Sequence, residues 1–199
     1  MKHIHFTSFL TNNAEFEKNY IEKLVGQCAH KKFEKDAFLL REGEECKYVF
    51  FVEKGLLRQY YLDTAGKEHT IQFAPENWLI SDRDALFFKQ GAQYFIQAVE
   101  DAEVLYIEED LILQLSRQDA AFHSYNNQLL HNHIRQLQKR IRLLLSATAE
   151  ERYLDFTATY PDLLMRLPQT MVASYLGITP ESLSRVRKGL AEKNQRRIT

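Results

Sequence analysis

A chain of 199 residues is too long for one minimal module and short for two full-sized domains, so a medium domain with a small appended one is expected. Its 45% apolar residues can build a core and its 27% charged residues can keep a surface wet, which excludes a disordered chain. No run approaches the roughly 18 consecutive apolar residues of a membrane span, residues 1–6 begin no signal peptide, and Cys28 and Cys46 lack CxxC spacing; a cytoplasmic chain with reduced thiols is expected.

The net charge of −1 hides an asymmetry. Residues 163–199 hold seven basic side chains (Arg166, Arg185, Arg187, Lys188, Lys193, Arg196 and Arg197) against Glu181 and Glu192, a surplus of five; the other residues carry 19 basic and 25 acidic groups. Positive charge gathered at one end suits a polyanion-binding element, although a solvated charged tail would show the same count.

In chain order, residues 38–107 read as short strands punctuated by Gly43, Gly55, Gly66 and Gly91. Residues 47–53 and 56–62 are rich in β-branched and aromatic side chains, Gly66 suits a hairpin corner leading into residues 69–73, and further strands follow at 94–99 and 103–107. Short strands at this spacing predict an antiparallel sandwich or barrel-like roll rather than a βαβ sheet.

After Glu108 the periodicity turns helical. Leu130, Ile134, Leu137, Ile141 and Leu144 step by 4, 3, 4 and 3 residues on one seam, close to a coiled-coil repeat. Packing against the chain's own roll or self-association would cover it, and self-association fits the spacing better. Thr148-Ala-Glu-Glu151 has the pattern of a capping box, so a new helix starts there, Pro161 ends it, and a domain boundary falls near residues 146–148.

From Gln169, apolar residues stand at Val172, Leu176, Ile178, Leu183 and Val186, with small Ala173 in the first helix and Gly177 between helices. A helix-turn-helix needs this set: a small residue where helices cross, a glycine in the turn, and apolar residues pinning the second helix. Thr179 is a natural N-cap and Pro180 a natural first helical residue. The face opposite Leu183 and Val186 presents Glu181, Ser182, Ser184, Arg185 and Lys188. Arg185 can bond guanine in a bidentate way, Glu181 can accept from cytosine, and the others can reach bases or phosphates. Glu181 and Arg185 could also be an ordinary i,i+4 surface pair.

These features resemble the cyclic-AMP receptor protein and FNR (Crp/Fnr) family of bacterial regulators over nearly the full length. Residues 40–44, 49–55 and 66–68 are similar to the family's strand-and-glycine pattern, the Leu130–Leu144 seam to its dimerisation helix, and residues 173–185 to its DNA-reading motif. The resemblance implies an α+β chain: an antiparallel, jelly-roll-like β-roll of the cyclic-nucleotide-binding kind with flanking helices over 1–117, a long dimerisation helix over 118–147, and a winged-helix-like helix-turn-helix domain over 148–199. It implies that Glu181 and Arg185 read bases while Thr170 and Ser182 or Lys188 touch phosphates, with Thr179, Pro180 and Ser184 in the same interface. Pro180 stands where several relatives carry a base-reading arginine, which changes or relaxes preference at one base pair. Only nine residues follow Leu190, so phosphate contacts are expected from Lys193, Arg196 and Arg197.

Relatives that bind cyclic nucleotide use a Gly-Glu pair and, about ten residues on, Arg followed by Ser or Thr. Residues 79–86 and 91–98 have neither, so tight cyclic-AMP binding is not expected. Ser81, Asp82, Arg83, Gln93 and Tyr94 could line a polar pocket for another effector, whose identity is unknown, or could be rim and surface residues. Expected partners are double-stranded DNA, a second copy of the chain and RNA polymerase, with no membrane.

No GxSxG, P-loop, HExxH or dinucleotide fingerprint argues for an enzyme. His131 and His133 are i,i+2 on a helix and point apart, so no metal is expected, and without an N-terminal cysteine cluster or a supported haem ligand no cofactor either. The rival reading is a ligand- or protein-binding sensor whose C-terminal helices contact a protein; steep salt dependence would mark DNA instead.

Overall fold

The computed structural model describes residues 6–13 and 25–198, so the signal-peptide reading of residues 1–5 lies outside the described residues. The chain divides into two compact units, Met1–Leu62 with Ile71–His131, and Asp63–Thr70 with Asn132–Thr199.

The first unit is built on two four-stranded antiparallel sheets. One runs β1 (Ala29–Phe33), β8 (Ala102–Glu108), β3 (Tyr48–Lys54), β6 (Leu79–Ile80); the other β2 (Phe38–Leu40), β7 (Phe95–Ala98), β4 (Leu57–Leu62), β5 (Glu68–Ala74). Strand β3 is buried on both faces from Val49 to Val52, as a near-continuous apolar run would be. On one face Phe51 meets Phe6 and Phe9 of α1 (Phe6–Asn13) at ring separations of 4.8 and 5.2 Å. Leu57, Ile96 and Ala98 of the second sheet belong to the same core cluster. Gly55 closes the β3–β4 turn at φ 88°, where a Cβ would stand 2.4 Å from the Asp101 carbonyl oxygen, so both backbone and space demand glycine.

Three elements differ from the expectation. Strand β1 reads AHKKF with four exposed residues. It is an edge strand paired to β8, stabilised by the Lys31 ammonium 4.4 Å over the Tyr106 ring rather than by alternating burial. Strand β6 has only two residues. Helix α2 (Arg83–Phe88) interrupts the strands, capped by the Asp82 carboxylate, which accepts from the Ala85 N–H at 3.1 Å.

Helix α3 (Glu109–Gln118) ends at Asp119, whose Oδ1 then accepts the N–H groups of Ala121 and Phe122 and opens the 27-residue α4 (Ala120–Ser146). In the single chain Ile134, Leu137, Ile141 and Leu144 are 48, 36, 57 and 41% exposed, while Leu130 is half-buried. Among the described residues no helix is long and apolar enough to cross a membrane.

In the second unit, helix α5 (Ala149–Thr159) opens on the expected capping box: the Thr148 hydroxyl accepts from Glu151 N–H, and the Glu151 carboxylate accepts from Thr148 N–H at 2.8 Å. Those bonds hold the Glu151 carboxyl below the usual carboxylate range. A short 3-10 turn (Leu163–Met165) leads to α6 (Gln169–Leu176) and α7 (Pro180–Ile198).

Candidate nucleic-acid interface

Helix α6 buries Val172, Ala173 and Leu176, and α7 buries Leu183. Gly177 joins them at φ 65° in the left-handed region, with the N–H of the cap donating to the Ala173 and Ser174 carbonyls. A Cβ there would meet Leu144 Cδ2 at 3.2 Å and Arg152 Nη1 at 3.4 Å, so this turn is pressed against α4 and α5. Arg152 Nη1 also donates to the Leu176 carbonyl at 2.7 Å, satisfying an orphan acceptor at the end of α6.

The first helix of the pair is held from a second side. Ser174 Oγ donates to the Glu68 carbonyl and accepts the Thr70 N–H, both at 2.9 Å. Arg140 Nη2 donates to the carbonyls of Thr70 at 2.8 Å and Tyr175 at 2.9 Å. The tip of the β4–β5 hairpin is itself ordered by Asp63, whose Oδ1 accepts the N–H groups of Ala65 and Lys67. The spacing of the second unit's residues in sequence gave no sign of this bracing, because Ser174 and Thr70 lie 104 residues apart.

Helix α7 begins at Pro180, and Thr179 Oγ1 accepts the Ser182 N–H at 3.2 Å. Beyond that cap Glu181, Ser184, Arg185 and Lys188 are exposed and Ser182 is half-buried. Thr170 is exposed in the first turn of α6. The structure thus brings Thr179 to Lys188 onto one short stretch of helix with reading chemistry outward. Glu181 and Arg185 do not form the i,i+4 ion pair among the described contacts. Arg185 Nη2 instead donates to Ser182 Oγ at 3.1 Å. The Glu181 carboxyl is held below the usual carboxylate range by its own backbone N–H first, by the Thr179 hydroxyl second and more weakly by the Arg185 charge.

Lys193 does not stand free for phosphate as expected: its ammonium sits 2.7 and 2.8 Å from the Glu150 carboxylate oxygens. A lysine count cannot see a partner 43 residues away. The side chains of Arg196 and Arg197 lie outside the described residues.

Of the five residues considered for an effector, the structure brings Asp82, Gln93 and Tyr94 near one another and sends Arg83 elsewhere. Ser81 and Asp82 are 6 and 1% exposed, so they are not surface residues. Asp82 spends its second oxygen on the Gln93 N–H at 2.8 Å, while the exposed Gln93 side chain donates to Asp84. Tyr94 is half-buried, and burial, with Asp82 and Asp84 adding, pushes its phenol up. Arg83 lines a separate apolar cavity with Phe6, Cys28, Ile107, Leu115 and Tyr125, which none of the other four reaches. Its volume of about 30 Å³ holds little more than a water or two. Among the described residues no cluster of His, Cys, Asp or Glu could hold a metal ion.

The family model described as the cyclic nucleotide-binding domain matches residues 30–119. An anaerobic regulatory protein of Aggregatibacter actinomycetemcomitans is 27% identical over 191 residues, covering 89% of this chain and 71% of that protein. One of Bacillus subtilis is 26% identical over 126 residues, covering 62% of this chain and 52%, about half, of that protein's length. Among solved structures FixK2 from Bradyrhizobium japonicum superposes with a TM-score of 0.74 at 20% identity, covering 84% of this chain and 86% of that one, a likeness of fold. With a nucleotide-binding-type roll, a long helix and a helix-turn-helix in that order, the chain is similar along most of its length to regulators of the Crp/Fnr kind.

Proposed function

We propose that the chain is a transcription regulator that binds an inverted-repeat DNA site as a homodimer through Thr170 and the Thr179–Lys188 stretch. The observation that carries this is the start of α7: a proline-led, threonine-capped helix whose Glu181, Ser184, Arg185 and Lys188 face outward above a buried Leu183. Named relatives are regulators rather than enzymes, which favours a non-catalytic role. Residues 1–117 serve as a sensor roll, 118–147 as the dimerisation helix and 148–199 as the reading domain, with RNA polymerase a further partner and the cytoplasm the site of action.

Dimerisation uses half-buried Leu130 with exposed Ile134, Leu137, Ile141 and Leu144, which form one apolar stripe on α4. Pairing there sets two recognition helices about one DNA turn, roughly 34 Å, apart.

Cyclic AMP is not the effector. Residues 79–86 and 91–98 carry neither a Gly-Glu pair nor Arg followed by Ser or Thr, and both Asp82 oxygens hold backbone N–H groups, those of Ala85 and Gln93. Selection of duplexes from a random pool tests the reading: an enriched inverted repeat, bound less as salt rises, is expected. No enrichment, or binding indifferent to salt, refutes it.

A further inference from the structure

Helix α7 carries one glycine, Gly189, nine residues from each end of the helix. Glycine at a helix centre lowers stability relative to alanine, because its backbone loses more freedom on ordering. At the turns of this fold that loss has a visible reason. Gly55 and Gly177 have positive φ, and a side chain at either would press on a neighbour. Gly189 has neither: its φ is not positive, and a Cβ built on it meets nothing within 4 Å. Nothing described within the chain requires glycine here.

Its position on the helix supplies a reason from outside. At 100° and 1.5 Å per residue, Gly189 lies ~40° around the helix and ~6 Å along it from Arg185, and ~20° around and ~10 Å along from Ser182. It is ~120° from the buried Leu183, by the same count. Half-buried itself, it stands between half-buried Val186, ~60° away, and exposed Arg185, at the flank of the outward face. A recognition helix lying in a major groove has base edges before it and a sugar–phosphate strand along its flank. The missing Cβ leaves a notch in that flank.

We infer that Gly189 is the point where one sugar–phosphate strand of the duplex passes against the backbone of α7, and that the absent side chain sets how deeply the helix seats. The inference rests on the DNA-binding reading above and adds a contact that fixes insertion depth rather than base identity. Because the strand is the same chemistry at every sequence, its effect extends to non-specific DNA.

The full chain and its Gly189→Ala and Gly189→Leu variants test this, with thermal unfolding of the free protein and titration of a selected duplex and a random-sequence duplex. Both variants should melt at or above the wild-type temperature, the alanine by on the order of 2–4 °C. Affinity should fall about tenfold for alanine and further for leucine, as for overlap in a packed contact, on both duplexes alike. A leucine variant that binds both duplexes within about twofold of wild type, against that tenfold expectation, overturns the inference. Loss confined to the selected duplex overturns the placement at the strand and points to a base contact. A lower melting temperature for both variants overturns the premise that the chain does not need this glycine. Wild-type protein that binds no random duplex at low salt refutes the DNA-binding reading itself, a result distinguishable from all of these.

Discussion

The Arg140 guanidinium lies 3.7 Å above the ring of Tyr175 and donates to the carbonyl oxygen of that same residue at 2.9 Å. One side chain of the long helix thereby grips the last turn of α6 by face and by backbone, while its Nη1 is buried without a bond. Arg140→Ala should lower stability by about 2 kcal/mol in urea unfolding, from two charge-assisted bonds and the stacked ring. Arg140→Lys should recover less than half of that, because an ammonium cannot stack or fork in the same geometry. A lysine variant as stable as wild type would show that charge alone matters here.

On the proposed reading of Arg185 as a base-contacting residue, its replacement by alanine should cost ~1–3 kcal/mol on the selected duplex and leave a random duplex bound as before. Fluorescence anisotropy on both duplexes measures it. An equal loss on both would assign Arg185 to the phosphates.

The α4 stripe predicts the oligomeric state. Sedimentation velocity should give a dimer for the wild-type chain at micromolar concentration and a monomer for Ile134→Asp combined with Ile141→Asp, which puts two charges into an apolar seam. A monomeric wild-type chain would refute pairing through this helix.

Thr148→Ala removes the hydroxyl that caps α5 and should cost ~1 kcal/mol in denaturant unfolding. The partner carboxylate of Glu151 has a lowered folded-state pKa, so its contribution is present above the ordinary glutamate pKa and fades as pH falls through the folded value. Glu151→Gln should flatten the acid limb of the stability curve relative to wild type.

Burial, with the Glu108 charge adding, pushes the Cys28 thiol up to about 11. The folded protein should therefore resist iodoacetamide at pH 8, with Cys28 alkylation rising only as pH approaches that value, monitored by mass spectrometry. Because burial disfavours the thiolate, stability should fall as pH rises from the unfolded thiol's pKa toward the folded one. Rapid modification of Cys28 at pH 8 would contradict this.

Where local chemistry decides structure, the sequence was readable. Gly177, Thr179, Pro180 and the Thr148–Glu151 box each act within four residues, and each sits as its residue type requires. The roll's central strands were legible because Val49–Val52 bury both faces. Strand β1 was not, since Ala29–Phe33 is held by its neighbour β8 and has no buried face of its own to show a period. Ser81, Asp82 and Arg83 are consecutive, yet a helix starts between them: Asp82 turns to cap it and Arg83 leaves for another cavity. The Glu150 partner of Lys193 and the Thr70 partner of Ser174 depend on tertiary contacts that spacing along the chain does not encode.

Arg185 rests on the Ser182 hydroxyl, and Glu181 rests on its own helix start. Each side chain can return to that local partner at a base pair it does not match, so a wrong site leaves no buried group stranded. If the helix reads DNA as proposed, passage along foreign sequence should be smooth, with encounter rates set by charge and nearly blind to sequence. On the proposed reading, discrimination by this helix belongs to residence time: the correct site is recognised by how slowly it is left.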